Sequence, residues 1–498
     1  MTKKELNRLI ELDKRIQELV KEFGLLTTEV DFEVTTAQRV LEGMSYMFPT
    51  NFSHWSFGRD FEKHRTIYEH TGSGIPYEQV WNFDRPKAFL VETNPLALNA
   101  LILAHVYGHV DFFLGSRFLQ HSRTYSNVAE EARNAAERFR KYEERHGQKD
   151  VETIIDAGMS IQWHQNPDPF FQELDEETVR EQLLDIERAK LERFRDIESE
   201  FKKPETRETV ARMERKLEIL TTKTPPEPTY DLLGYIIQKS PKPLKPWMLD
   251  VLRVIRNQAR CLNPNRRIKM LNEGWASYWH VKIMRRLFQE GLLKEEEHGI
   301  FNDFHSGVTR ESRISFNWYR IGLALFENIK ERWDSGRFGK EYEEERDSYK
   351  HSHWNTNVGL GNEKIFQVRQ FYSDRMAVEE FFTDEFIREQ EIYIWVGIPT
   401  DDGGMEYHIA EDDPEEIRKN LKEMFTSYGI PTITVENGNH NNQNHLLLRH
   451  HWTGFELDPL YMNATLDKLN HLWGKKVFIE TIVGGKPVTV SLSNGGKK

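Results

Sequence analysis

A mainly α-helical N-terminal domain, followed by a small α+β C-terminal domain with a mainly antiparallel sheet, is the fold class this sequence predicts. Three observations carry the expectation. Residues 92–113 read ETNPLALNALILAHVYGHVDFF, an apolar run rich in Leu and Ala with no glycine before Gly108, the pattern of a buried helix. Helical spacing of apolar residues recurs to about residue 390. From Glu391 the texture changes to short alternating or β-branched runs such as EIYIWVGIP, ITVEN and KKVFIETIV, bounded by turns.

Taken in order, residues 1–45 read as largely helical. Leu9, Leu12, Ile16, Leu19 and Phe23 recur in steps of three and four and line one face. The aromatic stretch 44–94 reads as irregular structure packed over the core, with a short strand near Lys87–Glu92. The histidine helix follows, with Asn94 as its cap and Pro95 in the first helical position, where the missing N–H costs nothing. Helices are predicted around Asn127–Arg145 and Val151–Trp163.

Residues 172–223 are dense in both charge signs and low in aromatics, the signature of a solvent-facing helical arm. The proline-rich run TTKTPPEPTYD ends it, so the arm and its break cover 172–228. Further helices are predicted at Tyr230–Lys239, at Trp247–Leu262 with a break at Asn263-Pro264-Asn265, at Lys269–Glu290, at Asn317–Trp333 and at Lys364–Glu389. The remainder reads β-β-α-β-β-α-β-β, its helices opened by Asp413-Pro414 and Asp458-Pro459. The domain boundary is placed near 390: a large helical domain, 1–390, and an α+β module, 391–498, that mediates contacts.

Composition narrows the function classes. Net charge is −12, against a general nucleic-acid binder, which carries a basic face. One cysteine, Cys261, excludes an intramolecular disulfide and fits a reducing compartment. The N-terminal segment is a charged amphipathic helix without the apolar core of a signal peptide. No run of about 18 consecutive apolar residues exists, so no membrane span is expected. These features predict a soluble cytoplasmic protein. There is no Walker loop, no G-x-G-x-x-G after a strand and no G-x-S-x-G, so nucleotide and serine-hydrolase chemistry are unsupported.

Chemistry concentrates on two helices. His105 and His109, four apart, lie about 40° apart around the axis, so both imidazoles share a face, as in helices that offer two ligands to zinc. On the second helix, Glu273 and His280 are seven apart and share a face with Ala276 and Ser277. Glu273 completes a two-His-one-Glu set for Zn2+ or another divalent metal, and His280 is a further ligand or a hydrogen-bond donor behind the ligands. The alternative is a buried hydrogen-bonded network that only locks the two helices together, since ionisable groups facing a core seldom go unpaired. His54, His305 and Tyr107 are candidates to line the same pocket.

Six blocks carry a resemblance in chain order: NFSHWSFG (51–58), IPYEQVWNFDRPKAFLVETN (75–94), LILAHVYGHVDFF (101–113), YEERHGQKDVETIIDA (142–157), MLNEGWASYWH (270–280) and NWYRIGLALFENIKERW (317–333). Together with a C-terminal LNHLWGKKVFIET block, they resemble the SpoVR family, stage V sporulation protein R and its relatives in non-sporulating bacteria. The resemblance implies a cytoplasmic protein linked to spore cortex peptidoglycan assembly. It also implies a stress or stationary-phase role elsewhere, and a PrkA-type serine kinase as partner. It supplies no established reaction.

Two of the blocks also resemble helical zinc peptidases, in which a histidine helix meets an E-G-W-A helix, so the N-terminal domain is expected to be a zincin-like helical frame. The peptidase glutamate that takes a proton would sit at Val106, and valine accepts none. A hydrolase built here needs its base from another segment. Asp156 and Glu152, four apart in VETIIDA, are the candidates; a solvated or salt-bridged acidic pair is the alternative.

Overall fold

A computed structural model describes residues 1–46, 52–71, 79–120, 128–166, 174–201, 204–313, 315–400 and 403–492. The chain is mostly helical, with a mainly antiparallel sheet in its C-terminal region. It divides into two compact units, 1–133 with 261–428, and 134–260 with 429–498.

The first unit is built on a helix buried almost all round. Leu96–Gly115 presents apolar side chains in every direction and lies within one continuous hydrophobic core. Among the described residues it is the one helix long and apolar enough to cross a membrane. A helix of this kind is expected either in a bilayer or at the centre of a large core, and here its side chains are buried by protein. Its N-cap is Pro95 without a side-chain cap bond. Asn94 instead donates from Nδ2 to Asn99 Oδ1 at 3.3 Å.

Helix Lys269–Gln289 crosses it where Gly108 meets Ala276: a Cβ on Gly108 would stand 2.7 Å from Ala276 Cα. Two residues back, on the opposite side of the helix, Gly274 meets Gly322 of helix Trp318–Ser335 in the same way. These glycines let three backbones converge, which brings side chains on adjoining faces within reach of one another.

Two buried carboxylates fix the arrangement. Asp111 accepts from Leu26 N at 2.7 Å and from Trp275 Nε1 at 2.8 Å, and pairs with Arg369. Asp374 accepts from Met270 N and Leu271 N, capping helix Lys269–Gln289 from a distant part of the chain. Such a cap satisfies amides that have no partner within the helix.

The N-terminal helix Lys3–Glu22 carries a Thr2/Glu5 capping box and buries Leu9, Leu12, Ile16 and Leu19 as the periodicity predicts. Two expectations for the next segment give way. A strand β1 (Asp31–Thr35) pairs in parallel with β3 (Lys87–Val91), whose other edge takes β2 (Gln79–Trp81) antiparallel. Residues Trp55–Thr71 form a helix where irregular structure is expected, because aromatic and charged residues alternate there without a clean apolar stripe.

β4 (Ile394–Pro399) and β5 (Met405–Glu411) make a separate two-stranded ribbon. Helix Pro414–Ser427, capped by Asp413, buries Ile417, Leu421 and Phe425, the last against Phe316 and Trp318. Residues 391–428 therefore belong to the first unit, and the division does not fall near 390. The change in texture at Glu391 reports strand propensity and says nothing of which core the residues face.

The second unit holds the sheet β6 (Ile433–His440), β7 (His445–His450), β8 (Val477–Val483) and β9 (Lys486–Ser491), in that spatial order. β7 and β8 are parallel, joined through helix Pro459–Trp473, which Asp458 caps; the other pairs are antiparallel. The charged arm is a helical hairpin, Glu176–Phe201 and Pro204–Thr222, in which Glu187 accepts from both Lys190 and Lys216 at 2.9 Å. Helix Pro246–Arg266 runs through Pro264 rather than breaking before it, the proline falling in its last turn.

Candidate metal centre

The convergence at Gly108 and Ala276 sets His105 and His109 opposite Glu273. Glu273 Oε2 lies 3.7 Å from His105 Nε2 and 3.4 Å from His109 Nε2, and the three ligand atoms all fall within 4.8 Å of one another. These distances discriminate between the two readings of the cluster. A charge-assisted N–H···O bond draws to about 2.7–2.9 Å. Two ligand atoms each ~2.0–2.1 Å from a shared tetrahedral ion stand about 3.3 Å apart. Oε2 is buried and has no hydrogen-bond partner among the described residues, although a carboxylate so placed would collapse onto a donor if one were aimed at it.

The opposite edge of each imidazole is occupied. His109 Nδ1 meets Asn272 Oδ1 at 2.9 Å; amide oxygens only accept, so Nδ1 carries a proton, which leaves Nε2 as the atom that could bind a cation beside Glu273. His105 Nδ1 meets His280 Nδ1 at 2.7 Å, and His280 Nε2 meets His305 Nδ1 at 3.0 Å. With the His105 proton on Nδ1, the chain runs consistently as donor to acceptor from His105 through His280 to His305. Holding Nδ1 in this way is how proteins orient ligating histidines.

Burial raises the Glu273 pKa, but hydrogen bonding and charge from the two imidazoles overcome it and hold the carboxyl below its ordinary range, so the group is a carboxylate. This pull is that of imidazoles donating N–H, a state that a bound cation would replace. Burial, with repulsion from the neighbouring histidines, holds His280 well below the usual imidazole value and therefore neutral. Burial, with Arg285 next, lowers His305. Two imidazole nitrogens and one carboxylate are a donor set that suits Zn2+ and other first-row divalent ions. His105, His109 and Glu273 could hold a metal ion.

The other sequence candidates fall in different places. His280 and His305 join the cluster behind His105 rather than among the three facing atoms. Tyr107 turns away: two residues from His105 is about 200° round the helix, and its hydroxyl donates to Asp13 at 3.0 Å on the N-terminal helix. This corrects its placement in the pocket. His54 folds onto its own chain, with Nδ1 at 2.7 Å from Ser56 Oγ and its ring against Phe57.

Asp156 and Glu152 lie on helix Gln148–Ile161 of the second unit. Asp156 pairs with Lys468 at 3.6 Å, and Glu152 accepts from Gln148 at 3.1 Å. Their assignment as base rests on sequence alone. Sequence reasoning passed over Asn272, whose signal is its place directly before Glu273, and Tyr319, whose ring lies 6.1 Å from that of His105.

A family model described as "SpoVR like protein" matches residues 3–430, and one described as "SpoVR-like C-terminal domain" matches 431–484. The chain is similar to the uncharacterized protein YcgB of Escherichia coli (strain K12), 26% identical over 489 residues, covering 93% of this chain and 90% of that protein. No solved structure matches it significantly.

Proposed function

The chain belongs to the SpoVR family, and we propose that it is a divalent-metal-dependent, hydrolase-like protein acting in spore cortex formation, with its metal held by His105, His109 and Glu273. One observation carries the reading: Glu273 Oε2, buried and without a hydrogen bond among the described residues, stands at metal-sharing distances from two imidazoles whose far nitrogens are already engaged. A divalent cation there would supply Lewis-acid chemistry, polarising a carbonyl and lowering the pKa of bound water towards about 7.

The chain's own residues supply the rest. Asn272 and His280 keep the two Nε2 atoms turned to the site. Asp156 or Glu152 is proposed to take the proton that Val106 cannot. The resemblance to sporulation protein R supports the cortex role and a cytoplasmic site of action. A cytoplasmic protein cannot touch finished cortex outside the forespore's inner membrane, so an amide bond in a peptidoglycan precursor or a regulatory protein is the proposed substrate. A second reading, a non-enzymatic partner of a PrkA-type serine kinase, draws on Val106 and on the burial of His105, His109 and His280.

Metal analysis of the purified full chain tests the proposal. About one equivalent of a divalent ion is expected, with a chelator-induced fall in melting temperature, since a ligand at 100 times its Kd stabilises by about 2.7 kcal/mol. A metal-free protein whose melting is indifferent to added Zn2+ and to chelator would sink it. If metal binds but Asp156→Asn and Glu152→Gln leave sporulation intact, the kinase-partner reading takes precedence.

A further inference from the structure

The helix that carries Glu273 holds other buried polar atoms without a hydrogen bond, and one of them, on Ser277, shares the face of Glu273 and His280. Ser277 is fully buried, and its Oγ has no hydrogen-bond partner among the described residues. Serine within a helix ordinarily satisfies its hydroxyl by donating to a carbonyl one turn back, as Ser45 does to Leu41 O at 2.8 Å. Ser277 does not. Leaving a buried hydroxyl unpaired costs free energy that removing the group would recover, so the side chain is expected to have a partner outside the protein.

Its position indicates where that partner sits. Ser277 is one turn beyond Glu273, about 40° round the helix, and three residues before His280. A helical side chain leans towards the N-terminus, back over the preceding turn, which here is the turn of Glu273. Ala276 beside it packs on Gly108, between the two histidines, and Gly274 on the other side packs on Gly322. Ser277 thus lies on the arc between those two contacts, on the face that carries Glu273 and His280.

The dimensions and charge of this place select the ligand. His105, His109, His280 and Ser277 are each at most 2% exposed, so a bulky group does not reach them. Two neutral imidazoles and one carboxylate leave a divalent ion with net positive charge, and a hydroxyl can donate. Resting on the metal reading above, we propose that Ser277 Oγ donates a hydrogen bond to a small oxygen-donor anion bound at the His105–His109–Glu273 site. Ser277 is then a ligand-binding residue, and the site selects small oxygen anions over bulky or cationic molecules.

The test uses full-length protein loaded with Co2+, whose visible absorption reports coordination, titrated with acetohydroxamate. Wild type is expected to bind one Co2+ and to change its spectrum saturably with the probe. Ser277→Ala should bind Co2+ as wild type does but bind acetohydroxamate about tenfold more weakly, the effect of one hydrogen bond to a charged group. Ser277→Thr, which keeps the hydroxyl, should remain within about threefold of wild type. Metal-free Ser277→Ala should melt at or above the wild-type temperature.

Unchanged acetohydroxamate affinity in a cobalt-loaded Ser277→Ala protein overturns the proposal. So does a cobalt-loaded wild type whose spectrum ignores the probe, or a metal-free Ser277→Ala protein that melts several degrees lower, which would show that the hydroxyl bonds to protein. A wild type that takes up no cobalt overturns the metal reading itself, a failure distinct from these.

Discussion

Both units hold buried or half-buried histidines, and they satisfy them differently. In the second unit, His450 Nδ1 meets Thr481 Oγ1 and His451 Nε2 meets Thr434 Oγ1, each at 2.9 Å, while the His164 ring bonds the carbonyl of Pro431. These partners are neutral hydroxyls at ordinary hydrogen-bond length and a backbone oxygen. In the first unit, His105 and His109 engage Nδ1 in the same way but turn Nε2 to a carboxylate 3.4–3.7 Å off. The contrast gives a rule for reading such sites. A buried histidine bonded to neutral groups serves packing; one held at Nδ1, with Nε2 set at metal-sharing distance from an ionised carboxylate, is arranged as a ligand.

The largest expected effect separates the two classes outright. His105→Ala with His109→Ala should reduce bound metal from about one equivalent to none. His450→Ala with His451→Ala should leave metal content unchanged and cost stability, about 1–3 kcal/mol for the Thr481 hydroxyl left buried without its imidazole, and less at Thr434, which still donates to Glu436. Elemental analysis and urea denaturation of the four single variants and both doubles check this. Metal retained in the first double, or lost in the second, would erase the distinction.

A smaller effect tests whether the bonds behind the ligands matter. Asn272→Ala removes the acceptor that fixes His109 Nδ1, and loss of such partners typically costs 10–100-fold in metal affinity. Competition against a zinc chelator should show that loss, with at most a modest change in metal-free stability because Asn272 is only half-buried. Asn272→Asp keeps the acceptor and should recover most of the affinity. Equal affinities in all three proteins would mean that the imidazole is oriented by packing on Phe113 rather than by Asn272.

How much of this was legible beforehand follows from what periodicity can and cannot carry. His105, His109 and Glu273 were readable because helical spacing alone puts them on faces, and a buried ionisable residue needs a partner. The Asp413 and Asp458 caps were readable because Asp-Pro opens a helix by local chemistry. Tyr107 was misplaced for want of the same arithmetic, since it sits on the far side of the helix that carries the pair.

β1 and Asp374 were not legible. A strand that pairs in parallel with residues some fifty positions on, and a cap supplied about a hundred residues away, are long-range facts with no local signature. The division of 391–428 from the last sheet was hidden for a related reason: strand propensity says that a segment is extended, while its core is chosen by tertiary contact. Orphaned atoms such as Ser277 Oγ are visible only when every neighbour is in place.

The smallest predicted effect uses pH and sets the two units against each other. Burial pushes the Asp374 carboxyl up to about 8, against bonds from the Leu271 and Met270 amides. Burial brings the His164 imidazole down to about 4, against its bond to the Pro431 carbonyl. The signs are opposite. A carboxyl whose folded pKa is raised contributes stability that is present below its unfolded value, near 3.9, and lost as pH rises through 8. An imidazole whose folded pKa is lowered contributes stability that is present above its unfolded value, near 6.5, and lost as pH falls towards 4.

Measured against Asp374→Asn, the wild-type melting temperature should therefore fall steadily between pH 4.5 and 8. Measured against His164→Gln, it should fall between pH 6.5 and 4.5 and stay level above that range. Differential scanning of the three proteins at four pH values resolves both slopes. A difference from Asp374→Asn that does not vary with pH would mean that the helix carrying Glu273 is capped by an ordinary ionised carboxylate. The metal centre would then stand on a helix start whose hold does not weaken at alkaline pH.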